Sequence, residues 1–102
     1  MNTTKNLIFA LEPSKAFGSM VAEAIGGTLS AHEERDFSEG EHKIRSLVDV
    51  RNKNIFIIYS LYGDPQLTVN DKLCRVLFFI GSLKDAGATT VTVIAPYLCY
   101  SR

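Results

Sequence analysis

The chain has 102 residues, carries 11 basic and 11 acidic side chains and is 46% hydrophobic, which points to one globular domain with a single packed core. Zero formal net charge excludes a sequence-independent nucleic-acid binder, which needs an excess of Lys and Arg against phosphate, and a protein held at anionic membranes by charge alone. No apolar run approaches the ~20 residues of a membrane helix, residues 1–5 lack a signal-peptide pattern, and Cys74 and Cys99 are too few for a disulfide framework, so a reducing, cytoplasmic setting is the expectation.

The first element is a buried strand in Leu7-Ile8-Phe9-Ala10-Leu11, a compact apolar run. Pro13 fits the first turn of a following helix, where its missing N–H is not needed. Phe17, Met20, Val21, Ala24 and Ile25 recur at helical spacing and predict one core-facing stripe. Gly26-Gly27 reads as the stop of that helix rather than as an anion-binding turn.

Residues 28–50 are charged, with sparse apolar positions. Two weakly alternating runs, 29–36 and 41–50, flank Phe37-Ser38-Glu39-Gly40 and predict a β-hairpin with one wet face. So polar a hairpin is expected to project from the domain or to meet another chain. His32 and His42 stand near Glu33, Glu34, Glu39 and Glu41. Such a set suits a metal such as zinc, but a solvated charged hairpin is the reading preferred here.

Asn54-Ile55-Phe56-Ile57-Ile58-Tyr59-Ser60 is continuously apolar, as expected for the centre of a parallel sheet covered on both faces. A loop marked by Gly63-Asp64-Pro65 leads to a long helix capped at Asn70 or a neighbour and stopped at Gly87, with Asp71 as a first-turn acid favoured by the helix dipole. Leu73, Val76, Leu77, Ile80 and Leu83 form its expected core stripe. Cys74 and Phe78 add a second strip and Phe79 adds more; one side is expected to face a second domain or subunit, and Cys74 reads as a small buried side chain. Thr89-Thr90-Val91-Thr92-Val93-Ile94-Ala95 is the last strand. Strand–helix–strand spacing of this kind implies parallel pairing and right-handed connections.

The fold class is therefore α/β: a mostly parallel sheet flanked by helices, with an inserted β-hairpin at about 28–50. After the last strand comes Pro96-Tyr97-Leu98-Cys99-Tyr100-Ser101-Arg102. Ligands of open α/β sheets bind beyond the carboxyl ends of the strands, where a helix normally follows. The expectation is a truncated chain, cut at a functional edge. Arg51, Lys53 and Arg102 are the cations beside strand boundaries. There is no G-x-x-x-x-G-K-S/T loop, no G-x-G-x-x-G after a strand, and no His beside Cys99 to activate it; the residues alone give no catalytic constellation.

Several segments together resemble the N-terminal part of ribose-phosphate pyrophosphokinase: Phe37-x-Glu39-Gly40-Glu41, Val50-Arg51 leading into Ile55-Phe56-Ile57-Ile58-x-Ser60, Asn70-Asp71-x-Leu73, Leu83-Lys84-x-Ala86 and Val93-Ile94-x-Pro96-Tyr97-x-x-Tyr100-x-Arg102. The resemblance implies a phosphoribosyltransferase-like N-terminal domain over residues 1–102, with the catalytic domain, the Mg2+ ligands and the ribose-phosphate loop beyond Arg102. It implies a parent enzyme that moves the diphosphate of MgATP onto ribose 5-phosphate, giving phosphoribosyl pyrophosphate and AMP, and that works as a homo-oligomer. Phe37, Glu39, Glu41 and Arg102 are then the ATP-binding residues, the hairpin reaching the adenine of a neighbouring subunit. Glu39 replaces the family's Asp, and Asp49, beside Arg51, stands in a regulatory phosphate segment where a small hydroxyl or amide is usual. These departures keep open a non-catalytic regulatory or interaction subunit of the same fold.

Overall fold

A computed structural model describes residues 5–102; residues 1–4, most of the start searched for a signal sequence, lie outside the described residues. In chain order the elements are β1 (Asn6–Ala10), α1 (Lys15–Ala24), β2 (His32–Asp36), β3 (His42–Ser46), β4 (Asn54–Ile58), α2 (Val69–Asp85) and β5 (Thr90–Ile94). β1, β4 and β5 form a parallel sheet in that order with β4 central, and β2 and β3 pair antiparallel as a separate hairpin. Leu29 adds a single parallel bridge to Ile8.

That bridge explains where the helices lie. The first crossover runs from β1 to Leu29 and the second from β4 to β5, in opposite directions along the sheet. Right-handed connections then place the two helices on opposite faces. Accordingly Ala22 of α1 packs with Ile8, Ala10 and Ile58, while Val76, Phe79 and Leu83 of α2 pack with Phe9, Leu11, Ile55, Ile57 and Tyr59. Alternate residues of β1 and β4 serve opposite faces, which is why both strands read as unbroken apolar runs. The winding reverses between β1 and β4, where Leu11 N–H donates to the Ile58 carbonyl and Ser60 N–H to Ser14 Oγ.

Both helices stop as expected. Gly26 and Gly87 have φ of 75° and 99°. Each helix closes with two bonds back along the chain: Gly26 to Glu23 O and Gly27 to Ala22 O, then Gly87 to Lys84 O and Ala88 to Leu83 O. This is the paired-bond termination that a left-handed glycine permits. α2 begins at the N-cap Thr68 with a reciprocal capping box to Asp71, so a neighbour of Asn70 is the cap and Asp71 is the first-turn acid.

Other expectations change. Pro13 lies before α1, whose N-cap is Ser14. The helix buries Gly18 and Ala22, while Phe17, Met20 and Ile25 stay 47%, 69% and 48% exposed. The reason is contact distance: α1 lies so close to β1 that only the small residues fit between them. On α2, Leu77 is exposed and Phe79 is fully buried, a shift of the stripe that puts the larger ring edge-on to Phe9 at 5.2 Å. Cys74 is exposed, since it stands on the side of α2 turned from the sheet.

The hairpin does not stand away from its own domain. β3 packs on α2, and Ile44 is buried in the α2-side core. The outer face carries Glu33, Arg35, Lys43 and Arg45, with Glu33 in ion pairs to all three cations. The wet face is as expected. What alternation did not reveal is that the opposite, inward face is also polar, carrying His32, Glu34, Asp36 and His42.

Candidate functional site

The hairpin is the first part of the site. Its turn is closed by Phe37 N–H on the Glu41 carbonyl at 2.8 Å and Gly40 N–H on the Phe37 carbonyl at 3.0 Å. Gly40 has φ 94°, a backbone state that glycine adopts without a side-chain clash. Phe37, Glu39 and Glu41 are all exposed at this tip. Glu39 Oε2 accepts from Ser38 Oγ at 2.7 Å, and the Arg35 guanidinium sits 5.8 Å from the Phe37 ring centroid, a cation–π distance. The tip thus offers one aromatic face and two carboxylate acceptors.

The base of the hairpin fixes that tip. His32 and His42 are not solvated: their side chains are 3% and 9% exposed. Much of the polar inward face is paired within the protein. His32 Nε2 bonds Glu34 Oε2 at 2.7 Å, and the His32 ring lies 6.1 Å from Phe9 and 5.8 Å from Phe79. Glu34 Oε2 also accepts the backbone N–H of Glu12 at 3.0 Å, tying β2 to the loop after β1. His42 Nδ1 donates to Asp36 Oδ1 at 2.9 Å, and Arg75 of α2 donates to the same oxygen at 2.8 Å. The His42 bond is the main cause holding the Asp36 carboxyl below its ordinary pKa.

The second part is the loop after β5. Tyr97, Leu98, Cys99, Tyr100, Ser101 and Arg102, with Val69 at the start of α2, line an open cavity of about 480 Å3. The loop is tied down by Leu61 N–H on the Tyr97 carbonyl at 3.0 Å, by the Tyr62–Tyr97 edge contact at 5.2 Å and by the Tyr100 hydroxyl on Asn70 Oδ1. Cys99 is buried in the core cluster, which anchors the strip that presents Arg102. The cavity lies at the carboxyl ends of the strands, where open parallel sheets bind ligands. Phe37, Glu39 and Glu41 are not on its lining; Glu41 borders a different cavity of about 370 Å3, shared with Gly40, His42, Asp71, Cys74, Arg75 and Phe78. Within one chain, the hairpin tip and Arg102 therefore face separate hollows.

Asp49 and Arg51 lie in the turn before β4, at the opposite end of the sheet from Arg102. Asp49 Oδ1 accepts the Arg51 backbone N–H at 3.0 Å, a local turn bond of a kind acidic residues make readily. The Arg51 stem packs over Gly87, where a Cβ would stand 3.2 Å from Arg51 Cγ. Among the described residues there is no group of three or more His, Cys, Asp and Glu that could hold a metal ion. No helix among them is long and apolar enough to cross a membrane.

The loop between β4 and α2 was missed as a structured element. Lys72, 3% exposed on its side chain, donates to Asp64 Oδ2 at 2.9 Å and to the Tyr62 carbonyl at 2.6 Å. Asp64 Oδ1 meanwhile accepts the N–H groups of Gln66 and Leu67. The Lys72 bond first, then these backbone bonds, brings the Asp64 pKa down to about 2. The Asp64-Pro65 turn signal was visible; the pairing across eight residues to a helix lysine was not.

Comparison with known proteins gives a consistent result. The profile describing the N-terminal domain of ribose phosphate pyrophosphokinase matches residues 6–102. Ribose-phosphate pyrophosphokinase 1 of Streptococcus mutans is 37% identical over 95 residues, covering 93% of this chain and 28% of that protein. The namesake from Streptococcus agalactiae is 35% identical over the same shares. The crystal structure of phosphoribosylpyrophosphate synthetase from Mycobacterium smegmatis superposes with a TM-score of 0.83 at 28% identity, over 94% of this chain and 31% of that one. The chain thus spans less than a third of the length of these relatives.

Proposed function

The chain belongs to the family of ribose phosphate pyrophosphokinase N-terminal domains, and from that premise we propose that it is the nucleotide-binding domain of a cytoplasmic ribose-phosphate diphosphokinase. In this reading residues 1–102 are the N-terminal domain, and a C-terminal domain of the full-length enzyme carries the catalytic groups. The reaction joins O1 of ribose 5-phosphate to the β-phosphorus of ATP and breaks the bond from that phosphorus to the oxygen it shares with the α-phosphorus; that oxygen leaves with AMP, and the O1 hydroxyl gives up its proton. Mg2+ would supply charge neutralisation on the phosphates; its ligands belong to the rest of the enzyme.

The contribution of this chain is positional. Phe37 stacks on the adenine, Glu39 and Glu41 accept from its amino group, and Arg102 holds the nucleotide at the end of the sheet. One observation carries the assignment: Phe37, Glu39 and Glu41 are exposed at the tip, which borders through Gly40 and Glu41 a hollow other than the one at Arg102. A base clamped by both needs two copies of the domain, so the enzyme is a homo-oligomer with its ATP sites at subunit contacts.

Subunit mixing tests this in the full-length enzyme. Phe37→Ala and Arg102→Ala enzymes each lose activity, while hetero-oligomers of the two regain a part of it, because some sites then receive both native halves. Folded, oligomeric mixtures that stay inactive overturn the shared site. A full-length wild-type protein that releases no AMP from ATP and ribose 5-phosphate favours the non-catalytic subunit instead.

A further inference from the structure

We propose that the inward face of the hairpin encloses one water molecule, bound to Glu34 Oε1, His42 Nε2 and the Tyr59 hydroxyl, which pins the hairpin to the end of β4. The proposal does not depend on the nucleotide reading.

These three atoms are buried and have no hydrogen-bond partner, in a protein whose other inward polar groups on the hairpin are paired. A buried polar atom left unpaired is costly, and native folds rarely tolerate one, let alone three. Two of the three are neighbours. Glu34 Oε1 and His42 Nε2 stand 3.8 Å apart, too far for a direct bond and close enough to share a partner. Tyr59, fully buried, packs in the same cluster as Ile44, the residue opposite Glu34 in the hairpin register. Burial first, then the Glu34 charge, raises the Tyr59 pKa, so the hydroxyl keeps its proton and donates.

Proton bookkeeping identifies the ligand. The Asp36 carboxylate only accepts, so His42 carries its proton on Nδ1 for that 2.9 Å bond. Nε2 is taken as the second acceptor of the site, which the tautomer measurement below decides. Glu34 is ionised: burial pushes its pKa up, but the His32 and Glu12 bonds outweigh that and bring it below the ordinary value. The pocket therefore offers two acceptors, Glu34 Oε1 and His42 Nε2, and one donor, the Tyr59 O–H. Water has two hydrogens to give and a lone pair to receive, and about three bonds is usual for a buried water. A metal ion fits less well, because only one carboxylate and one imidazole face the site and the third group is a protonated phenol.

The test uses the whole chain at neutral pH. Nitrogen-15 NMR is expected to show His42 as the neutral Nδ1–H tautomer, with a magnetisation transfer from long-lived water to the Tyr59 hydroxyl. Tyr59→Phe is expected to lower the folding equilibrium constant about tenfold, the scale of one net hydrogen bond, and its effect is expected to be less than additive with Glu34→Gln. An Nε2–H tautomer, a Tyr59→Phe variant as stable as the wild type or more so, or stoichiometric Zn2+ binding lost in His42→Gln would each overturn the proposal. Should Glu34→Gln fail to fold, the tautomer and Tyr59→Phe still decide it.

Discussion

Gly18 of α1 lies against Ala10 of β1 so closely that a Cβ at position 18 would stand 2.3 Å from the Ala10 Cβ. The contact sets the distance between the helix and the sheet, and through it the exposure of Phe17, Met20 and Ile25 on the flank of α1. Gly18→Ala is expected to destabilise the domain by about 2 kcal/mol, the cost of forcing a methyl into a closed contact, although alanine is the better helix former. Urea denaturation measures it; an unchanged or raised midpoint would show that α1 is not held at this distance.

Capping gives a second prediction. Thr68 Oγ1 accepts the Asp71 N–H at 3.0 Å, and Asp71 Oδ2 accepts the Thr68 N–H at 2.9 Å. Thr68→Ala removes half of this exchange and is expected to cost about 1 kcal/mol, seen as a lower denaturation midpoint with the slope unchanged. Thr68→Ser should restore most of the loss, because the hydroxyl is the group that acts.

The sheet, its parallel pairing and both helix stops were legible because each rests on a local signal: runs of β-branched and aromatic residues at 55–58 and 91–94, and glycine after each helix. The helix faces were not. Counting apolar residues at helical spacing favoured Phe17 and Met20 over Gly18 and Ala22, since a close approach between backbones selects residues for smallness rather than for hydrophobicity. The hairpin misled for a related reason. A charged sequence reads as solvated, yet His32, Glu34 and His42 are buried, with Glu34 bonded to His32 and the Glu12 N–H and His42 bonded to Asp36. Such pairing depends on register across strands and on contacts far apart in the chain. As for the candidate site, the motif residues Phe37, Glu39, Glu41 and Arg102 were visible as a pattern, but the placing of Glu41 and Arg102 on separate hollows is a property of the fold alone.

Acid lability is the third expectation. The folded-state pKa of Asp64 is about 2, below its value in the unfolded chain of ~3.9. A depressed carboxyl contributes stability that is fully present above the unfolded pKa and is lost as the pH falls through the folded one. The loop between β4 and α2 should therefore weaken between about pH 4 and pH 2. Lys72→Met removes the main cause of the shift and should flatten this part of the stability–pH curve. Denaturation midpoints of the two proteins across that range provide the check; parallel curves would mean that the pair contributes nothing to the acid limb.

Leu77 and Phe78, 54% and 64% exposed, stand with exposed Cys74 on the outer side of α2, next to the hairpin tip. Large apolar side chains grouped in this way mark a contact surface more often than a solvated one. Phe78→Glu is expected to change the folding free energy by no more than about 0.5 kcal/mol, as for most surface changes, while shifting the sedimentation profile toward monomer. A wild-type chain that sediments as a strict monomer at high concentration would remove this surface from the oligomer.

The turn at Asp49 carries the last prediction. Its carboxylate is spent locally on the Arg51 N–H, and the Arg51 stem lies against Gly87. An anion approaching this turn meets the Asp49 charge before it can recruit Arg51, and like charges disfavour binding there. The full-length enzyme should consequently respond weakly or not at all to added inorganic phosphate. Asp49→Ser keeps an oxygen able to accept the Arg51 N–H while removing the charge, so it should preserve the turn and make activity more sensitive to phosphate. Initial rates over a phosphate titration compare the two enzymes. Strong activation of the wild type, or an Asp49→Ser enzyme indistinguishable from it, would mean that this carboxylate does not guard a phosphate site.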